Sequence, residues 1–95
     1  MIVKKSDKAG KDNMAIFTDE KTGKKKTVHF GDASLAHYTS GATKEQRTRY
    51  KARHKKDLRT NDPKRAGYLS YFILWGESKS LRENVKSYKK RFNFN

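Results

Sequence analysis

The chain is predicted to fold as a small α+β domain, a β-hairpin packed on about three α-helices. Three observations carry that prediction. Two short β-prone runs, 14–18 and 27–30, flank a polar turn containing Gly23. Three segments with helix-start signals follow, at about 43–58, 63–75 and 80–92. The 95 residues are only 33% apolar, enough for one thin core. The domain is placed at 14–95, and residues 1–13 are read as a flexible basic N-terminal arm, because "KKSDKAGKDN" is polar and has no apolar period.

Within the hairpin (14–30), Ile16, Val28 and Phe30 are expected to face the helices, since a lone hairpin is marginal in water. Gly31-Asp32 ends the second strand, and "ASLAHYTSGA" is a loop or a short helical turn. Thr43 with Gln46 forms a capping-box signature, opening a helix in which Arg47, Tyr50, His54 and Leu58 share one face. Arg49, Arg53 and Lys56 share the opposite face. Asp62 as N-cap and Pro63 at the first helical position open the second helix, "PKRAGYLSYFILW", which Gly76 closes. It is apolar nearly all round after Gly67, so Tyr68, Leu69, Tyr71, Phe72, Leu74 and Trp75 are expected in the core. Ser80 and Glu83 signal another capping box. Behind it Leu81, Val85, Tyr88 and Phe92 form an apolar stripe with Arg82, Lys86, Lys89 and Lys90 opposite.

Charge points to the partner. Twenty-four Lys and Arg stand against ten Asp and Glu, a formal charge of +14, and residues 43–65 alone hold ten cations and three acids. Such self-repulsion destabilises the compact state unless a polyanion relieves it, and nucleic acid is the commonest polyanion. The expected phosphate-binding residues are Lys24, Lys25 and Lys26 in the hairpin turn, Arg49, Arg53 and Lys56 on the first helix, and Arg59, Lys64 and Arg65 between helices. Arg grips phosphate with a two-pronged fork and Lys acts as a point charge. Neither comes with the Asn or Gln partners of a base-reading helix, so contact without strong sequence preference is expected, with duplex DNA as partner.

Other classes find little footing. With no Cys there is no disulfide framework and no zinc-thiolate site. His29, His37 and His54 lack ligand-like spacing, and no paired carboxylates, nucleophile triad or glycine-rich phosphate loop is legible. No catalytic residue, metal, cofactor or small-molecule substrate is therefore expected. The longest apolar run, "YLSYFILW", is too short for a membrane span, and the N-terminus lacks a signal-peptide core, so a soluble chain with no membrane partner is expected. Among the aromatics, Phe17 and Tyr38 lie outside the core spacing and are the candidates for stacking on bases.

The runs "KKTVHFG", "HYT", "RYKARHKK", "DPKRAGYLSYFILWG" and "SLRENVKSYKKRF" resemble, in order and spacing, an uncharacterised family of small basic proteins. Large double-stranded DNA viruses of algae and protists, of phycodnavirus and mimivirus type, encode that family. The resemblance spans about residues 24–92 and implies a source, not an activity. The charge, with that source, leads to the expectation of a virion-associated protein that binds DNA phosphates and aids genome condensation or packaging, present in the virion and in host cytoplasm or nucleus during infection. The alternative is a minor capsid protein, cement-like on the inner shell surface, holding capsid proteins through an aromatic patch or through Ile2, Val3 and the terminal "FNFN". A third reading takes the Lys/Arg runs as a nuclear import signal.

Overall fold

A computed structural model describes all residues, 1–95. Three antiparallel strands, β1 (Ile2–Lys5), β2 (Lys11–Thr18) and β3 (Lys25–Asp32), form a sheet in the order β1-β2-β3. Behind them come a 3₁₀ turn at Tyr38–Ser40, α1 (Lys44–His54) running into 3₁₀ turns to Thr60, α2 (Ala66–Leu69) continuing as a π-helix over Ser70–Leu74, and α3 (Leu81–Phe92). This is the expected α+β class, and the expected hairpin is its β2–β3 half.

The segment 1–13 is not the loose arm expected. Ile2–Lys5 pairs along β2, with Ile2 opposite Ile16 and Lys5 opposite Asn13. A four-residue run flanked by lysines is too short to register as a strand by pattern alone, and it becomes one because β2 offers a free edge to pair with. The faces of the hairpin also differ from expectation. Ala15, Phe17, Val28 and Phe30 turn toward the helices, whereas Ile16 sits with Met14 and His29 on the other face. Side chains alternate along a strand, so putting Phe17 inside forces Ile16 outside. Phe17, taken as a base-stacking candidate, is 5% exposed and packs on Phe94 at 5.1 Å, which removes its ring from solvent. The turn is as expected: Gly23 adopts φ +73, and Asp19 accepts the Lys21 and Thr22 amides.

Thr43 and Gln46 make the capping box in both directions, at 2.8 and 3.1 Å. Ser80 caps α3 by accepting the Glu83 amide at 3.3 Å, but its own amide donates to Ser78 Oγ instead of Glu83, so the box is half made. The second helix starts three residues late. Asp62 Oδ1 accepts the Lys64 amide and Asp62 O the Arg65 amide, a closed turn that moves the N-cap to Arg65. Further on, the Trp75 amide reaches Ser70 O at 3.0 Å, a bond spanning five residues. This wider winding puts Leu69 and Leu74 on one line, so Leu69, Ile73, Leu74 and Trp75 are buried while Tyr71 and Phe72, expected in the core, stay half-exposed.

α3 locks onto the end of α2 through Asn84. Its amide donates to Ile73 O at 2.8 Å and to Ser78 O at 2.7 Å, and its oxygen accepts the Ser78 amide. Tyr88, 1% exposed, donates its hydroxyl to Pro63 O at 2.6 Å. Burial pushes the Tyr88 phenol well above its ordinary range, and burial followed by the Asp57 charge raises Tyr50. Both phenols keep their protons in the folded state after the unfolded chain has lost its own near pH 10, so folded stability must fall as pH rises past that point. The expected slope is up to about 1.4 kcal/mol per pH unit for each phenol. Urea midpoints taken from pH 8 to 11.5 should decline only above pH 10. The lowered Lys51 ammonium works in the opposite sense over the same range, so Tyr88→Phe is the control: a variant that declines as steeply as the parent would show that the Tyr88 phenol is not the source.

Candidate nucleic-acid interface

α1 is a basic helix with no fully buried residue, so aromatic and polar contacts hold it. Tyr50 lies between Trp75, at 4.3 Å and 7° between planes, and His54, at 4.1 Å and 20°. Arg47 donates from Nε to Gly76 O at 2.7 Å, and Lys51 Nζ stands 4.5 Å from the Tyr71 ring centroid. Leu58 O accepts the Tyr68 hydroxyl at 2.9 Å. These contacts turn Arg47, Tyr50, His54 and Leu58 inward, as the helical spacing predicts, with Lys51 beside them, and leave the outer face free.

On that outer face Arg49, Arg53 and Lys56 are exposed as expected. Arg53, Lys55, Lys56 and Arg59, with Ala52 and Leu58, line one shallow depression of about 580 Å³. A helix rises 1.5 Å per residue, so Arg49 and Arg53 stand about 6 Å apart along the axis, one turn from each other on the same face. Lys55 belongs to this group although the helical wheel does not select it. It is the first residue of the 3₁₀ segment Lys55–Thr60, and it lines the depression with the cations of that segment.

The remaining expected residues lie elsewhere. Lys24, Lys25 and Lys26 are exposed at the β2–β3 tip. Lys26 pairs with Phe17, over whose ring Lys64 Nζ stands at 5.7 Å, so Lys26 and Lys64 make a second cationic group at the sheet end. No hydrogen bond or ion pair links this group to the α1 group. Arg65 has Asp62 as its partner at 3.5 Å.

Arg65 is also the only one of the twenty-four Lys and Arg within 4.0 Å of a carboxylate. Several of the acids are engaged in other ways. Asp12 holds His37 and Asp57 holds His54, each at 3.0 Å. Asp19 and Asp32 cap turns; the Ser34 hydroxyl and amide hold the Asp32 carboxyl below its ordinary range. The three histidines have separate partners, His29 bonding Ser6 at 2.7 Å. Tyr38, the other stacking candidate, is half-buried, with Arg47 and Lys79 near its ring at 5.6 and 5.5 Å. No helix is long and apolar enough to cross a membrane.

Residues 1–54 match a family described only as a family of unknown function (DUF5754). An uncharacterized protein of Acanthamoeba polyphaga mimivirus is 38% identical over 79 residues, covering 77% of this chain and 78% of that relative. The matched region takes in β1, upstream of where the sequence resemblance begins. No solved structure matches the chain.

Proposed function

The chain belongs to this family of unknown function, with a relative in a giant virus, and we propose, from its charge and the exposed cations described above, that it is a DNA-binding protein of the virion. In this reading it is a binding protein and not an enzyme. It grips the phosphates of duplex DNA without strong sequence preference and helps condense or package the genome. The observation that carries the reading is the set of exposed cations without carboxylate partners on the outer face of α1 and the 3₁₀ turns that continue it, Arg49, Arg53, Lys55, Lys56 and Arg59. A solvated helix face normally mixes signs, whereas here only Glu45 stands against them. Lys26 and Lys64 at the sheet end would engage a more distant stretch of backbone.

The capsid-cement alternative needs an exposed apolar patch. The large apolar side chains well exposed are Ile2 and Leu35, each 60%, one on the edge strand and one in the loop after β3, which is ordinary for a monomer surface.

Titration against random-sequence duplex with 5′-hydroxyl ends, from 50 to 300 mM salt, tests the reading. A log–log slope steeper than about −4 is expected, the release of counterions from four or more phosphates. Affinity that barely changes with salt, or equal affinity for a folded acidic protein, would overturn it.

A further inference from the structure

A second group of cations lies on the other side of α1. Lys51 is about 160° round the helix from Arg49 and Arg53, and it lines a half-open groove of about 450 Å³ between α1, the end of α2 and α3. Ser87, Lys90 and Arg91 of α3 line the same groove, with Phe72 as an apolar wall. Two cations converge on that one ring: Arg91 Cζ is 4.5 Å from the Phe72 centroid and Lys51 Nζ 5.8 Å. Neither they nor Lys90 has a carboxylate within 4.0 Å, although Glu77 also lines the groove. Lys51 is half-buried, and its ammonium is held below the ordinary lysine range first by burial and then by the nearby charge of Arg47. Three like charges crowd a recess that contains one acid.

We propose that this groove is a site for a phosphate monoester, held by Lys51, Lys90 and Arg91 with the Ser87 hydroxyl. A monoester carries between one and two negative charges at neutral pH and three acceptor oxygens, a match for cations that converge from two helices. Arg91 offers a two-pronged grip and Lys51 a point charge over the aromatic wall. The volume falls within the range of small-ligand pockets, about 300–1,000 Å³, so a terminal phosphate with its nucleoside fits. Lys51 is half-buried in this recess, on the side of α1 away from Arg49 and Arg53, which separates the site from the outer face of α1. The site does not depend on the duplex-binding reading.

The test uses the full chain and a trinucleotide, either 5′-phosphorylated or 5′-hydroxyl, with inorganic phosphate as a separate probe, read by calorimetry. Wild type is expected to bind the phosphorylated trinucleotide at least tenfold more tightly than the hydroxyl form. Lys51→Met and Arg91→Gln should abolish that ratio, while Arg53→Gln leaves it intact. Met retains most of the Lys51 stem over Tyr71, and circular dichroism confirms that each variant is folded. If inorganic phosphate competes as well as the phosphorylated trinucleotide, the ligand is the free phosphate group; if it competes poorly, the nucleoside contributes and the ligand is a phosphorylated end. Either result supports the site. Equal binding of the two trinucleotides, or equal displacement by a triglutamate peptide, would overturn it. Duplex binding is measured with 5′-hydroxyl ends, so loss of one activity leaves the other measurable.

Discussion

Trp75→Ala is expected to lower folding stability by about 3–5 kcal/mol, the usual cost of emptying a large aromatic site. The residue is 6% exposed and is the single Trp of the chain. Its ring stacks on Tyr50 at 4.3 Å and meets His37 edge-on at 5.9 Å. Domains of this size are stable by only about 5–15 kcal/mol, so the variant should melt far below the parent. The loss should also be uneven. α1 buries no residue fully and depends on the Tyr50 stack, so its amides should lose hydrogen-exchange protection before those of β2 and β3. Trp75→Phe, which keeps a ring against Tyr50, should recover much of both. Urea denaturation followed by far-UV circular dichroism gives the first number, since fluorescence disappears with the residue. An unchanged midpoint would show that Trp75 lies outside the core.

Changing Arg53, Lys56 and Arg59 together to Gln is expected to reduce duplex affinity roughly ten- to hundredfold at 0.15 M salt and to make the salt slope shallower by about 3, one phosphate contact for each side chain. All three are exposed, none has a carboxylate partner, and none caps a helix, so the melting temperature should stay within a few degrees of the parent. Changing Lys24, Lys25 and Lys26 instead should have a smaller effect, because the hairpin tip is not joined to the α1 depression. Loss of affinity from the hairpin triple alone would move the binding face to the sheet.

The features legible from the sequence are those produced by neighbours along the chain. A cap is one side chain meeting an amide three residues away, so Thr43-Gln46 and the Ser80 start of α3 could be read directly, as could the positive φ of Gly23. The unbalanced charge and the outward face of Arg49, Arg53 and Lys56 follow from composition and helical period alone. Contacts between distant parts of the chain decided the rest. β1 exists because β2 had an edge to pair with, and Phe17 rather than Ile16 faces inward because the helices accept the larger ring. The π-winding of 70–74 places Leu69 and Leu74 together and keeps Tyr71 at the surface, beside Lys51. The asparagine latch of Asn84 and the convergence of Lys51 and Arg91 on Phe72 join helices that no local pattern connects. Which cations keep no carboxylate partner was also a tertiary decision. The sequence sets the excess of cations over acids, and the fold further commits Asp12 and Asp57 to histidines and Asp19 and Asp32 to turns, so those four acids pair with no lysine or arginine.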